Sequence, residues 1–217
     1  DIDGTLLDSR HRIMPCTKSH LTYLHERGVP IILCSARPPE GVNLVAGQAG
    51  LQGPKACYNG GLVFDENSTI LRDVGIDIQL AMDFKRFAAE HYPDLVVSAY
   101  LYNVWLTEDP RNPRIRQEAE ISGCAPLMGS LEQVAGAVPH IHKLLCIGDA
   151  MQIRALQNAV RQYFPQLTAL RSKSNYLEIL PPESTKGSAA QVRHTAGLVS
   201  GEHPGWLYAH NDMFIFV

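Results

Sequence analysis

The chain begins with Asp1-Ile2-Asp3-Gly4-Thr5, and this stretch decides how the rest of the sequence is interpreted. Two carboxylates that are two residues apart lie on the same side of an extended segment, and a turn after a strand lets a side chain and a backbone carbonyl face one point. Gly4 permits a sharp turn, and Thr5 offers a hydroxyl and a backbone donor. Such a cluster suits a hard cation such as Mg²⁺ together with one phosphoryl group. For these five residues alone, a solvated acidic turn is the alternative.

Four further segments follow this stretch, and their order is informative. They are Ile31-Ile32-Leu33-Cys34-Ser35-Ala36-Arg37-Pro38, then Asn59-Gly60-Gly61, then Leu177-Glu178-Ile179-Leu180-Pro181 leading to Lys186-Gly187, and finally Asn211-Asp212. With motifs in this order and spacing, the chain resembles the haloacid dehalogenase superfamily, and within it the Cof-like sugar phosphatases that carry a large α/β cap. The resemblance covers nearly all of the 217 residues.

The resemblance implies an α/β fold in which a cap domain is inserted into a Rossmannoid core with a parallel sheet. We therefore expect residues 1–75 and 181–217 to form the catalytic core, and residues 76–180 to form the α/β cap that selects the substrate. The hydrophobic pattern indicates the same class, because Val29 to Cys34 is a continuous apolar run between two helical patterns. Family members have an apolar strand before the first motif and continue beyond the last one, so we expect this chain to be truncated at both ends.

The first motif supplies the chemistry of the reaction that the resemblance implies. Asp1 attacks phosphorus and becomes an aspartyl-phosphate, while Asp3 protonates the leaving alkoxide and then activates the hydrolytic water. Mg²⁺ offsets the repulsion between the attacking carboxylate and the phosphate dianion. The metal ligands implied are Asp1, the backbone carbonyl of Asp3, Asn211 and Asp212.

Polar residues after the later apolar runs are expected to hold the phosphoryl group. Ser35 directly follows a predicted strand, at the end where ligands bind in open α/β sheets, although it can instead cap the helix near Pro38. Arg37 either supports this loop or contacts the substrate. Asn59 is part of either a tight turn or the site itself. The phosphate-binding residues implied by the resemblance are Gly4, Thr5, Ser35, Arg37, Asn59 and Lys186.

Lys186 is the cation expected at the phosphoryl group. It opens a predicted helix, so its ammonium and the helix N-terminus can both face an anion. An exposed lysine at a helix start is the alternative. The third motif of the family has a lysine with this preceding Glu-Ile and this following Gly. By contrast, Ile147-Gly148-Asp149 has the form of a metal-binding Gly-Asp but falls in the middle of the predicted cap, so we assign it no role at the site.

The last motif departs from the family pattern, which is Gly-Asp, two residues, then Asn-Asp. Asn211 and Asp212 match this pattern, but Leu207 and Tyr208 stand where the family has Gly and a carboxylate ligand. A neutral phenol is a poor Mg²⁺ ligand. Either Asn211, Asp212 and water complete the site, or the affinity for the metal is weakened, or the sequence carries an error near its end.

Composition indicates a soluble globular protein, with 45% hydrophobic and 19% charged residues. The net charge of −3 gives no global basic field for nucleic acid or membranes, and no stretch approaches the roughly 20 apolar residues of a membrane span. The five scattered cysteines predict reduced thiols in a cytoplasmic protein. The sequence does not determine the oligomeric state.

The sequence therefore predicts a Mg²⁺-dependent phosphatase that acts on a small phosphorylated metabolite, either a sugar phosphate or a phosphorylated cofactor. Two other functions stay open. The replaced carboxylate at Tyr208 favours a protein that binds phosphorylated ligands without turnover. A phosphomutase would use the same aspartyl-phosphate but pass the group to a second hydroxyl.

Overall fold

The chain folds into two compact units, as seen in a computed structural model. The structure describes residues 2–8, 10–29, 31–195, 206–209 and 213–216. Unit 1 comprises Asp1–Asp73 and Ser184–Val217, and unit 2 comprises Val74–Glu183. Among the described residues, every helix is too short or too polar to cross a bilayer.

The first part of unit 1 alternates helices with short strands. Its elements are α1 (Pro15–Glu26), β1 (Leu33–Cys34), α2 (Pro39–Ala49), β2 (Lys55–Cys57), β3 (Leu62–Phe64) and β4 (Ile70–Asp73). The strands form a sheet in the order β1-β2-β3-β4, in which β1 and β2 are parallel and the other pairs are antiparallel. α2 starts with Pro39, which suits a first helical turn, and is closed by Gly50 with a φ of +72°.

Unit 2 is built on a larger, mostly antiparallel sheet. Its elements are β5 (Ile76–Asp77), α3 (Ile78–His91), β6 (Val96–Leu101), β7 (Val104–Thr107), α4 (Pro113–Ser122), β8 (Leu127–Met128), α5 (Leu131–Val134), β9 (His140–Ile141), β10 (Lys143–Ile147), α6 (Ala150–Tyr163), β11 (Thr168–Lys173) and β12 (Tyr176–Leu180). The sheet order is β11-β12-β10-β6-β7-β8, and only β7 and β8 run parallel. Asp149 caps α6 by accepting hydrogen bonds from the N–H groups of Met151 and Gln152, so the Gly-Asp pair predicted to lie outside the site has a structural role.

One face of the unit 2 sheet forms the core of this unit. Side chains alternate between the faces of a strand, and on this face they are aliphatic, as with Leu144, Leu177 and Ile179, and fully buried. Helices α3 and α6 contribute to the same cluster, where the rings of Phe84 and Phe164 meet edge to face with centroids 5.5 Å apart.

After unit 2 the chain returns to unit 1. The elements of this last part are α7 (Lys186–Thr195), β13 (Trp206–Ala209) and β14 (Met213–Phe216). Ala189 of α7 packs with Cys34, Ala56 and Val63, so this helix lies against the four-stranded sheet. A strand at 206–209 is predicted from the sequence, but it pairs with β14 in a separate two-stranded sheet instead of joining the four-stranded one.

Two further features differ from the sequence-based expectation. β1 is shorter than the apolar run from Val29 to Cys34. α4 is not predicted at all, because polar and charged residues fill it and only Ile115 and Ser122 are buried. All five cysteines are free thiols, and each except Cys16 is buried.

Glu118, on α4, is a carboxyl group buried among charged neighbours. Burial raises its pKa above the ordinary 4.5, against the opposing effect of Lys173, whose Nζ lies 3.8 Å from Glu118 Oε2. Because ionisation is disfavoured in the folded state, Glu118 destabilises the protein increasingly as the pH rises from 4.5 through the raised pKa.

We predict that Glu118→Gln raises the free energy of unfolding at neutral pH, and that its advantage over the parent protein shrinks as the pH is lowered toward 4.5. Urea denaturation between pH 4.5 and 8 measures this difference. Glu120→Gln, on the exposed side of the same helix, is the matched control. Equal pH dependence in both variants would contradict the assignment.

Candidate active site

The first-motif loop is anchored by buried apolar residues and exposes its polar ones. Ile2 is fully buried, and its carbonyl accepts hydrogen bonds from the N–H groups of Leu6 (3.1 Å) and Leu7 (3.0 Å). Gly4, with a φ of +78°, makes the turn between them. The side chain of Asp3 is therefore presented at the surface, where 47% of it is exposed. Asp1, the predicted nucleophile, lies outside the described residues.

Arg37 holds the carboxylate of Asp3 with two hydrogen bonds. Its Nε donates to Oδ2 at 2.8 Å and its Nη2 donates to Oδ1 at 2.6 Å. The guanidinium is only 13% exposed, so the pair is partly shielded from solvent on the arginine side. A bidentate pair of this kind fixes the orientation of the carboxylate as well as its charge. The structure thus makes Arg37 a partner of Asp3, and its contact with phosphate stays a prediction.

His11 also lies beside Asp3, a contact that no motif in the sequence indicates. Its Nδ1 is 3.7 Å from Asp3 Oδ1, and its φ of +55° is unusual for a residue other than glycine. The turn is held by Asp8, whose Oδ1 accepts hydrogen bonds from the N–H groups of Arg10 and Arg12. The hydrogen bond from the Arg12 N–H is the main reason why the pKa of Asp8 lies below its usual range. An aspartate that precedes Ser-Arg-His-Arg signals such a turn but not the contact with Asp3.

Ser35 and Asn59 are neighbours at the carboxyl ends of β1 and β2. Ser35 is buried, and its backbone carbonyl accepts a 2.9 Å hydrogen bond from the N–H of Asn59. The N–H of Arg37 donates to Ser35 Oγ at 3.2 Å. Ser35 does not cap α2, because Pro38 occupies the N-cap position of that helix. The capping alternative for Ser35 is therefore wrong, and its contact with a phosphoryl group stays a prediction.

The loop after β2 lies directly against the start of α7. Tyr58, Asn59 and Gly60 all have positive φ values, of 52°, 55° and 98°. A Cβ atom on Gly60 would lie 2.5 Å from the carbonyl oxygen of Thr185. The loop and the helix start therefore approach as closely as a glycine permits.

Lys186 is the first residue of α7, as the sequence predicts, and it is half-buried. Thr185 caps the helix, because its Oγ1 accepts a 3.0 Å hydrogen bond from the N–H of Ser188. Ser184, two residues before Lys186, was not singled out from the sequence. Its Oγ is buried and, among the described residues, has no hydrogen-bond partner. A buried hydroxyl without a partner at this point is a candidate ligand-binding group.

The structure thus brings together most of the predicted site residues that it describes. Asp3 contacts Arg37, the loop of Arg37 includes Ser35, and Ser35 bonds to Asn59; Gly60 then abuts the residue before Lys186. Gly4 and Thr5 belong to the same first-motif loop as Asp3. These groups gather at the carboxyl ends of parallel strands, the usual location of ligands in α/β sheets. Asn211 and Asp212 lie outside the described residues, and Tyr208 is described only as part of β13, opposite Phe214.

Comparisons with known proteins identify the family of this chain. A family profile described as haloacid dehalogenase-like hydrolase matches residues 1–194. A putative phosphatase from Haemophilus influenzae is 30% identical over 191 residues, which is 88% of this chain and 71% of that protein. The HMP-PP phosphatase of Serratia proteamaculans is 26% identical over 98% of this chain and 77% of that protein. A haloacid dehalogenase-like hydrolase from Bacteroides thetaiotaomicron superimposes with a TM-score of 0.80 at 21% identity, over 91% of this chain and 75% of that one.

The chain belongs to the haloacid dehalogenase-like hydrolase family. The superfamily predicted from the order of the motifs and the predicted α/β fold class are both confirmed. The protein is accordingly an enzyme of the hydrolase class, with relatives that are named phosphatases.

Proposed function

We propose that this member of the family is a Mg²⁺-dependent phosphatase that hydrolyses a small phosphorylated metabolite, a sugar phosphate or a phosphorylated cofactor, through an aspartyl-phosphate. The observation that carries the proposal is the bidentate contact between Arg37 and Asp3. This contact fixes the orientation of the Asp3 carboxylate, which is otherwise exposed, beside the loop that bears Ser35. An acid–base group needs such a fixed orientation to exchange a proton with the substrate.

In the proposed reaction, Asp1 attacks phosphorus as the bond to the leaving oxygen breaks. Asp3 must carry a proton to give it to the leaving alkoxide, so that the product departs as a neutral alcohol. Since Arg37 donates to both oxygens of Asp3 and favours the ionised carboxylate, one of these two hydrogen bonds has to open at this stage. Asp3 then takes a proton from water, whose oxygen attacks the aspartyl-phosphate and releases inorganic phosphate and the free Asp1 carboxylate. The proton of Asp3 is restored in this second step, so the cycle balances.

The phosphoryl oxygens need donors and positive charge around them. We assign this role to the Ser35 hydroxyl, the Asn59 amide, the Lys186 ammonium and the backbone N–H groups of Gly4 and Thr5. Support comes from the convergence of the loops that bear them at one sheet edge, and from the buried Ser184 hydroxyl beside Lys186. Lys186 also stands at the N-terminus of α7, where the helix dipole favours an anion.

The metal site would consist of oxygen donors, which is the ligand chemistry that Mg²⁺ prefers. Asp1, the backbone carbonyl of Asp3, Asn211 and Asp212 would hold the ion, and bound Mg²⁺ neutralises charge between the attacking carboxylate and the phosphate. Because the positive guanidinium of Arg37 lies against both carboxylate oxygens of Asp3 and disfavours a cation there, the backbone carbonyl of Asp3 is the group that would bind the metal.

Unit 2 is proposed to act as the cap, which selects the leaving group. The partner is then a small phosphorylated metabolite, with no role for nucleic acid or a membrane. The free buried thiols are compatible with the cytoplasmic location that we propose.

A second function, the binding of phosphorylated ligands without turnover, is supported by Tyr208. This residue stands where a carboxylate ligand is expected, and it lies in the strand β13. Measurement of phosphate release under excess substrate separates the two functions and also detects a phosphomutase, which would transfer the group to another hydroxyl.

The first prediction for this function concerns the two aspartates. Asp1→Asn should abolish phosphate release, since an amide cannot form the aspartyl-phosphate, and Asp3→Asn should lower kcat by about 10²–10⁴-fold. Phosphate release from glucose 6-phosphate measures both effects, with circular dichroism as the check on folding. Wild-type turnover in Asp1→Asn would exclude aspartyl-phosphate chemistry.

A further prediction concerns Arg37. Arg37→Lys keeps the charge but cannot make both hydrogen bonds to Asp3, so the acid–base group loses its fixed orientation. We expect kcat for glucose 6-phosphate to fall about 10-fold or more, within the contribution of general acid–base catalysis. p-Nitrophenyl phosphate should be affected much less, because its leaving group departs without protonation. Arg27→Lys, on the exposed end of α1, is the control. Equal losses for both substrates would instead indicate that Arg37 binds the phosphate.

The last prediction of this group concerns Tyr208. If it replaces a metal ligand, the protein should need unusually high Mg²⁺ or lack activity, because a carboxylate no longer attracts the ion. Leu207→Gly combined with Tyr208→Asp should then lower the Mg²⁺ requirement and raise turnover. A Mg²⁺ titration of phosphate release compares the two proteins. Identical curves would mean that position 208 is not at the metal.

A further inference from the structure

Two hairpins of unit 1 close with the same turn. In the first, Leu7 pairs with Ile13 across a turn that begins at Asp8. The Oδ1 atom of Asp8 accepts hydrogen bonds from the N–H groups two and four residues later, at 2.8 and 2.9 Å. The carbonyl of Asp8 accepts from the N–H of His11, and its N–H donates to the carbonyl of Arg12, both at 2.9 Å. Four hydrogen bonds to one aspartate thus fix this turn.

The second hairpin, between β3 and β4, repeats each of these contacts. Phe64 pairs with Ile70, and Asp65 begins the turn between them. Its Oδ1 accepts from the N–H groups two and four residues later, at 2.9 and 2.7 Å. The carbonyl of Asp65 accepts from the N–H of Ser68 at 3.2 Å, and its N–H donates to the carbonyl of Thr69 at 3.0 Å. The two turns are built alike but differ in sequence, so their comparison shows what the turn itself requires.

The fourth residue of the turn has a positive φ in both hairpins. The angle is +55° at His11 and +64° at Ser68. Glycine adopts this conformation without strain, whereas a residue with a Cβ atom is strained there. Ser68 shows that a small polar residue suffices at this position, so the hydrogen bonds that build the turn do not require an imidazole. The presence of His11 therefore needs an explanation outside the turn.

The imidazole of His11 lies beside the candidate acid–base group. Its Nδ1 is 3.7 Å from Asp3 Oδ1, which is too long for a hydrogen bond, so His11 does not hold Asp3 in place as Arg37 does. The side chain of His11 is 54% exposed and that of Asp3 is 47% exposed, so a ligand can reach both. An oxygen atom about 2.8 Å from Nδ1 and from Oδ1 fits between the two groups and would be hydrogen-bonded to both.

We propose that His11 is a contact residue for the leaving group, and that its Nδ1–H donates a hydrogen bond to the ester oxygen as the bond from this oxygen to phosphorus breaks. The inference rests on the proposed function and narrows its substrate class to phosphate esters of aliphatic alcohols. The alkoxides of such alcohols are strongly basic, so they gain most from a positioned donor. The proton that the departing oxygen keeps still comes from Asp3, so His11 is unchanged at the end of the step.

The two nitrogen-bearing side chains at Asp3 differ in what they offer to the leaving oxygen. Arg37 turns its guanidinium to the carboxylate and donates to both of its oxygens. His11 stands 3.7 Å from the same carboxylate, at a distance that leaves room for an oxygen atom between them. The aspartate-bound turn fixes the backbone of His11, so its N–H can meet the charge that develops on this oxygen with little reorganisation.

The first arm of the test is steady-state kinetics of the intact protein with Mg²⁺. His11→Gly should lower kcat/KM for glucose 6-phosphate about 10-fold or more, the effect of one hydrogen bond to a charged oxygen. kcat/KM for p-nitrophenyl phosphate should stay unchanged, because p-nitrophenolate is a stable anion without a donor. His11→Asn should retain most of the activity, because its amide nitrogen is as many bonds from Cα as Nδ1 and asparagine tolerates a positive φ.

Ser68→Gly, at the same position of the second turn, is the matched control. Both glycine variants should keep or raise the urea concentration at the midpoint of unfolding, since glycine relieves the strain of the positive φ in each. Only His11→Gly should lose activity. No loss in His11→Gly, an equal loss for both esters, or the same loss in Ser68→Gly would overturn the inference. A lower urea midpoint together with lower activity in His11→Gly would also overturn it, because His11 would then serve the turn.

The second arm observes His11 without turnover, and it separates this inference from the proposed function. The Asp1→Asn variant is used with Mg²⁺ present, and the proton–carbon NMR signal of the His11 ring is identified by its loss on His11→Asn. At constant pH, glucose 6-phosphate should shift this signal saturably, whereas the ring signal of His25, in the last turn of α1, should not move. A His11 signal that stays in place overturns the inference even if the parent protein hydrolyses phosphate esters. A shift when the parent protein releases no phosphate supports the contact and refutes the proposed hydrolysis.

Discussion

The geometry of the active site depends on the close approach of Gly60 to α7. A Cβ atom at this position would lie 2.5 Å from the carbonyl oxygen of Thr185 and 2.8 Å from the Cβ of Ala189. Only a glycine can occupy the position, and its φ of +98° adds a second reason for glycine. The contact joins the loop after β2 to the residue before Lys186. Since Asn59 in that loop is bonded to Ser35, one glycine links the two parts of unit 1 that are far apart in sequence.

The same loop stores conformational strain next to the candidate active site. Tyr58 and Asn59 both adopt positive φ values, a conformation that costs of order 1–3 kcal/mol for a residue other than glycine. Their N–H groups are bonded to the carbonyls of Arg37 and Ser35, at 3.2 Å and 2.9 Å, and these bonds hold the loop in place. The strained loop after β2 and the loop after β1 therefore support each other. This cross-bracing gives rigidity at the sheet edge, which a site that must orient a phosphoryl group requires.

Much of the fold and part of the site could be predicted from the sequence. The features that could not be predicted have physical causes. Val29 to Cys34 and Lys186 were assigned to a strand region and a helix start because continuous apolar runs and helix-opening residues are local signals. α4 was missed because its sequence has almost no apolar stripe, since only Ile115 and Ser122 of this helix are buried. The contact between Arg37 and Asp3 joins residues 34 positions apart, and the proximity of His11 to Asp3 depends on a turn with a positive φ. The spacing of motifs along the sequence determines neither the conformation of such loops nor which carboxylate an arginine will contact.

The contact between Arg37 and Asp3 also constrains how the proposed reaction handles charge. A guanidinium that already donates to both oxygens of a carboxylate has little to offer a phosphate at the same time. The negative charge of the phosphoryl group must then be balanced by Lys186, by backbone N–H groups at the loop and helix ends, and by the metal ion that the proposal includes. In the proposed reaction the metal site would then be the part with the least negative charge, because Tyr208 would contribute none where the family has a carboxylate. Under this proposal, Arg37 and Tyr208 act on the same balance of charge, and the number of oxygen ligands left for Mg²⁺ would decide whether the chain hydrolyses its ligand or only binds it.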